Sequence, residues 1–212
     1  DAEKPGINNN ASTNELDDGP MRRTLETLEL LSQNRREFLR EDLNLKQEEL
    51  ELWEDVSRRM GVPFHDDGII SQFEHYDRLR EFDWKAYGKK YGNLQRLDRI
   101  LKAEGNSPDQ YKVSKQPDVL MLFYLLSEME LAELFNRLGY PFDHEMVQKN
   151  IDYYMKRSSH GSTLSRVVQS WVLAKYQKDL SWQLFKEALE SDISDIQGGT
   201  TSEGVHLGAM AG

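Results

Sequence analysis

Ser158-Ser159-His160-Gly161-Ser162-Thr163-Leu164-Ser165 gathers hydroxyls, an imidazole and a glycine where an apolar helical pattern begins. Leu164, Val167, Val168, Trp171 and Val172 then recur at helical spacing. The first turn of a helix leaves backbone N–H groups without intrahelical partners, and the aligned peptide dipoles make that end positive. Gly161 lets a ligand approach the main chain, Ser162 and Thr163 add hydroxyls, and the His160 ring adds a donor. This is the chemistry of a seat for phosphate or another small anion. The same residues also fit an ordinary helix start, with Ser162 as the cap and Ser165 turned to solvent. The two readings are compatible, because both use the same N–H groups.

Other groups are weaker candidates. His65-Asp66-Asp67 has metal-binding side chains, but no second histidine at a ligand spacing accompanies it. Asp66, Asp67 and Glu74 are carboxylates of a kind that serve as general bases, but helix-capping or loop-solvating roles suit each of them better. Phe73, Trp84, Tyr87 and Tyr91 offer faces on which a sugar stacks, though packing is the ordinary fate of an aromatic ring. His75 and His144 read as surface residues. The acidic run Glu48 to Glu54 reads as a solvated helix face.

The frame that must position these groups is helical. Residues 1–20, with Pro5, Gly6, Gly19 and Pro20, read as a polar arm or loop, and residues 21–212 as one helical unit. Leu25, Leu28 and Leu31 mark a first helix face. Asn44 with Gln47 suggests the cap of a second helix, whose face is Leu50, Trp53, Val56 and Met60 and whose end is Gly61 with Pro63. Residues 61–116 read as long loops with short helical pieces near Leu94 to Ala103. Val119 to Leu126 is apolar on every side, which predicts a helix buried all round. Ser127-Glu128-Met129-Glu130 is a capping box, Gly139 a stop, and Asp143 the cap of a helix carrying Met146, Val147, Ile151 and Tyr154. Leu180, Trp182, Phe185 and Leu189 mark the last clear helix. The pattern predicts seven or eight helices and an all-α fold of antiparallel neighbours: a bundle, solenoid or α/α barrel.

The 212 residues are enough to bury a core. A net charge of -10 argues against nucleic acid as a partner. No apolar run reaches membrane-spanning length, and the polar start carries no signal peptide. Without a single cysteine, no disulfide or thiolate site exists. Mean hydropathy of -0.74 and a pI near 5.1 suit a cytoplasmic enzyme of small substrates.

Five segments together resemble glycoside hydrolase family 65, the maltose, trehalose, kojibiose and nigerose phosphorylases and related hydrolases. They are Asn9-Asn10-Ala11-Ser12-Thr13-Asn14, Val62 through Phe73, and Tyr111 through Gln116. His160 through Ser165 and Asp195 through Leu207 complete the set. The resemblance implies part of an (α/α)6 barrel, a half-barrel fragment from its later half. It implies inverting phosphorolysis of an α-glucosidic disaccharide, with inorganic phosphate as co-substrate and no cofactor or metal. His160, Gly161, Ser162 and Thr163 match the family's phosphate loop. Lys115 and Gln116 match the pair that contacts the glucosyl unit, and Lys115 could lend charge to the phosphate. His206 falls in a motif near the barrel's end, where it shapes the pocket or bonds a neighbouring loop.

The family's general-acid glutamate lies in a Gly-Pro-Asp-Glu-type segment ahead of Asn-Asn-Ala. It is expected upstream of Asp1, and Glu3 does not sit in that motif. Three expectations follow. The chain alone is inactive, it self-associates or pairs with the missing half of the barrel, and Glu15 through Pro20 shorten or break the first barrel helix. A hydrolase on the same substrates is the alternative, but it needs a second carboxylate to activate water. A sugar- or partner-binding fragment without catalysis is a third possibility.

Overall fold

The computed structural model describes residues 10–65, 67–159, 161–194 and 204. Ten α-helices run through them: α1 (Ala11–Leu30), α2 (Gln33–Asp42), α3 (Gln47–Arg59), α4 (Trp84–Tyr91), α5 (Leu97–Ala103), α6 (Asp118–Leu125), α7 (Glu128–Leu138), α8 (His144–Met155), α9 (Thr163–Leu173) and α10 (Lys178–Glu190). The pairing among the described residues that is not helical consists of isolated bridges. The fold is all-α, as the periodicity predicts. α9 packs on α10 and α6, α6 on α8, and α1 on α3 and α6. No helix among the described residues is long and apolar enough to cross a membrane.

Local sequence explains most boundaries. Ser127 Oγ accepts from the Glu130 N–H at 3.2 Å, and Glu130 Oε2 accepts from the Ser127 N–H at 2.9 Å, closing the expected capping box of α7. Gly139 ends that helix at φ 80°, a left-handed conformation that glycine adopts without a Cβ clash. Asp143 Oδ1 accepts from the Met146 N–H at 2.7 Å to start α8.

The structure corrects several expectations. The loop expected over 1–20 is helical from Ala11 onward, with Gly19 and Pro20 inside α1. Proline removes one i→i−4 bond and crowds the preceding turn. Here the helix continues past it, packed on α3 and α6. At its start Asn10 Nδ2 donates to Asp118 Oδ2 at 2.7 Å. The Asn44–Gln47 cap is absent. Asn44 sits at φ 52°, Lys46 holds the cap position, and Gln47 reaches forward to Glu51. α2 went unpredicted because Gln33–Asp42 has no apolar stripe and buries no residue. α6 is not buried all round: Leu120 and Leu122 are fully covered, while Leu125 is 50% exposed. Asp66, His206 and the segment 195–203 lie outside the described residues.

One core joins α6 to α9 through Leu120, Leu122, Leu131, Phe135, Ile151, Tyr154 and Leu173. Each such side chain contributes about 1.5–3 kcal/mol when fully buried. The loop before α4 is fastened to this core by polar groups. Asn150 Oδ1 accepts from the Ile70 N–H at 2.8 Å, and Tyr154 donates to the Ile70 carbonyl. Phe73, a sugar-stacking candidate, packs edge-on against Tyr76 within this core. A smaller cluster of Phe82, Leu97 and Leu101 supports α4 and α5.

His65 lies inside, with its side chain 10% exposed. Its ring stacks on Tyr76 at 5.9 Å and meets the edge of Tyr153 at 5.3 Å, and Nε2 has no hydrogen-bond partner among the described residues. Burial pulls its pKa below the ordinary 6.5, against the pull of Asp67 and Asp77. The unfolded chain therefore takes up a proton before the folded one does, and stability falls as the pH drops below about 6.5. Denaturant unfolding at about pH 7.5 and about pH 5.5 should show this loss, and His65→Gln should shrink it. An equal pH slope in the variant would place the proton uptake elsewhere.

Candidate functional site

The site is built where two extended stretches meet the start of α9. Ser162 is the N-cap residue, extended at φ −134° and ψ 139°, and its side chain makes no cap bond. The ordinary capping role expected of it is thus not used. Ser165, expected to face solvent, is 1% exposed instead, because its hydroxyl donates to the Lys115 carbonyl at 2.6 Å. That bond ties the first turn of α9 to residues 112–116.

Gly161 explains the glycine in the motif. A Cβ there would collide with the Gln95 carbonyl oxygen and would lie 3.7 Å from Lys115 Cε. Only a residue without a side chain lets the main chain pass so close to both. Lys115 extends past Gly161, and its Nζ meets Asp98 Oδ2 at 3.1 Å. Asp98 is pushed up by partial burial and pulled down further by Lys115, so the carboxylate sits below its usual range. The other Asp98 oxygen is buried.

Gln116 turns elsewhere: its amide nitrogen lies 2.6 Å from Met121 Sδ on α6, and its N–H donates to Ser114 Oγ at 3.2 Å. The chain bends at Lys115 and Gln116, and the two side chains find different partners, Asp98 for Lys115 and Met121 for Gln116. The fold thus brings Gly161, Ser162, Thr163 and Lys115 together and holds Gln116 against α6. Thr163 is 6% exposed. His160 lies outside the described residues.

Sequence reasoning missed Asp98, the Gln95 carbonyl and the burial of Ser165. Asp98 lies 17 positions before Lys115 in a segment with no pattern of its own, and nothing in the chain points one at the other. A cavity of about 860 Å3 adjoins the site, sharing Gln95, Ser158 and Ser159 with its surroundings. Trp84 lies on its wall, and the Arg166–Glu187 ion pair, at 3.1 Å, on its floor. Tyr87 and Tyr91 are instead spent on Glu104, to which both donate.

The whole sequence, residues 1–212, matches the glycosyl hydrolase family 65 central catalytic domain. The chain belongs to that family. An uncharacterized glycosyl hydrolase of Mycobacterium tuberculosis is 53% identical over 210 residues, covering 99% of this chain and 16% of that protein. The trehalose 6-phosphate phosphorylase of Lactococcus lactis is 40% identical over 175 residues, covering 82% of this chain and 23% of that protein. A solved structure assigned provisionally as a kojibiose phosphorylase from the human microbiome superposes with a TM-score of 0.71 at 21% identity, over 97% of this chain and 26% of that one. The shared fold is part of an (α/α)6 barrel. The family 65 chain spans about a quarter or less of the length of these relatives.

The close approach at Gly161 is testable. Gly161→Ala should cost about 1–3 kcal/mol, because a backbone carbonyl yields less easily than a side chain. Denaturant midpoints would read the loss, and a neutral result would mean that no such contact exists.

Proposed function

We propose that this chain carries the phosphate-binding part of an inverting α-glucoside phosphorylase. The observation that carries the proposal is the contact at Gly161, where a side-chain-free loop, an uncapped Ser162 and the Lys115 side chain converge on one helix start. Backbone N–H groups and the positive helix end suit phosphate, and Lys115 supplies a full charge. Phosphate is already an anion, so this site needs to hold its nucleophile more than to deprotonate it. In the proposed reaction a phosphate oxygen attacks C1 of the glucosyl unit from the face opposite the leaving sugar. The C1–O bond breaks and the leaving oxygen takes a proton from the general acid, which gives β-glucose 1-phosphate and the free second sugar.

Gly161, Ser162 and Thr163, with His160, hold the phosphate in this reading. Thr163 contributes mainly through its main chain, since it is buried. Lys115 and Gln116 meet the glucosyl unit in this reading, with Asp98 restraining Lys115 until a ligand competes for it and Gln116 leaving Met121 to do so. No cofactor is invoked. The substrate is a disaccharide of the maltose, trehalose or kojibiose type. The relative that acts on trehalose 6-phosphate extends the candidates to a phosphorylated disaccharide. The acidic, cysteine-free composition suits work in the cytoplasm. The general-acid glutamate is assigned to the Gly-Pro-Asp-Glu-type segment ahead of Asn-Asn-Ala, which the 212 residues do not contain.

The test is a product assay on the chain alone and on the chain joined to the preceding part of a family 65 barrel. Maltose, trehalose, kojibiose, nigerose and trehalose 6-phosphate would be supplied with and without inorganic phosphate. The expected result is silence from the chain alone and phosphate-dependent glucose 1-phosphate from the joined protein. Release of glucose without phosphate would support a hydrolase instead.

The half-barrel reading has its own test. Trp171 (64% exposed), Trp182 (59%), Leu189 (52%) and Ile193 (82%) leave apolar surface uncovered on α9, α10 and the turn after α10. Such surface favours association. Sedimentation of the chain alone should show self-association that the joined protein lacks. A compact monomer that binds no hydrophobic dye would count against this pairing.

A further inference from the structure

Three stretches of main chain lie side by side beneath the proposed anion seat. Arg80 bridges Tyr111 and Ser114 bridges Ser158, both in parallel. The Lys112 N–H donates to the Arg80 carbonyl at 2.8 Å, the Ser114 N–H to the Arg157 carbonyl at 3.1 Å, and the Ser159 N–H to the Ser114 carbonyl at 3.0 Å. A ladder of so few bonds is marginal by itself. Its alignment nevertheless bears on the site, because Lys115 directly follows Ser114, the residue bridged to Ser158.

One carboxylate joins all three stretches. Glu81, beside Arg80, accepts from Arg157 Nε at 3.1 Å and from Arg157 Nη2 at 2.9 Å. It also lies 3.3 Å from Lys112 Nζ. The two arginine bonds form a fork, which fixes direction as well as distance. The guanidinium is held on two further sides. Its Nη1 donates to the Tyr153 carbonyl at 2.9 Å, and its carbon sits 3.6 Å from the Tyr153 ring centre. The cations are mostly covered, with Arg157 19% and Lys112 16% exposed at the side chain. Glu81 is open to water at 55%, so the assembly acts through geometry more than through raw Coulomb energy.

We propose that Glu81 and Arg157 are positioning residues for the anion seat. Their pair, joined by Lys112, holds residues 112–114 against 157–159 and so sets the spacing between Lys115 and the start of α9. The inference rests on the phosphate-binding role assigned to that seat. Neither residue belongs to the seat as proposed, and neither lies in a segment whose spacing points to the other.

The test uses the 212-residue chain with Glu81→Gln and, as the milder variant, Arg157→Lys, which keeps the charge and loses the fork. Amide hydrogen exchange reads the ladder, and titration with inorganic phosphate by phosphorus NMR reads the seat. Protection at the Ser114 and Ser159 amides should fall about tenfold or more in Glu81→Gln and less in Arg157→Lys, with the Leu122 and Ile151 amides unchanged. Phosphate affinity should fall about tenfold in parallel. Unchanged protection at both ladder amides in both variants would overturn the positioning role, and so would a loss spread evenly into α6 and α8. Unchanged phosphate affinity with a loosened ladder would overturn the link to the seat. If the unmodified chain binds no phosphate while its ladder responds as expected, the phosphate-binding role itself fails.

Discussion

Two peptide segments meet beside the start of α9, and everything at the site depends on how closely they pass. The Ser114–Ser158 bridge sets them parallel, and the Ser165 hydroxyl on the Lys115 carbonyl anchors the helix to the first of them. Gly161 then passes under the Gln95 carbonyl with no room for a side chain. These are short-range contacts between main-chain atoms, so they tolerate little displacement. The proposed seat relies on backbone N–H groups, which cannot swing to correct an error of position, so it must be held from outside.

That holding is layered. The large core of α6 to α9 gives a rigid base. Asn150 and Tyr154 bind the Ile70 backbone to α8, which fixes the loop on its way to Glu81. The smaller cluster of Phe82, Leu97 and Leu101 supports α5 and thereby Asp98, the carboxylate that meets Lys115. Apolar burial thus provides the platform, and polar bonds provide the aim. The division suits each force, since burial is strong but non-directional and hydrogen bonds are weak in net terms but directional.

Lys115 shows how charge is managed near such a seat. An isolated ammonium beside a helix start would repel the positive end of the dipole. Pairing with Asp98 neutralises it while leaving the side chain half-exposed at 47%. Under the proposed function, a phosphate anion would compete with Asp98 for the Lys115 ammonium.

The sequence alone was enough for the all-α class, the capping box at Ser127, the stop at Gly139, the cap at Asp143 and the helix that begins near Thr163. These are local rules: a hydroxyl or carboxylate reaches an N–H two or three residues away, and an apolar stripe repeats within one element. It also identified the glycine and hydroxyl pattern before α9, since that pattern lies in one continuous stretch. Local rules failed where long-range packing opposed them. Gly19 and Pro20 disfavour a helix, yet α1 runs through both against α3 and α6. Asn44 looked like a cap and instead sits in a left-handed turn. Only the tertiary structure decided that Ser165 faces inward onto Lys115, that Asp98 meets Lys115, and that Glu81 meets Arg157. Each of those contacts joins residues far apart in the chain, where no periodicity connects them and only the packed core brings them within bonding distance.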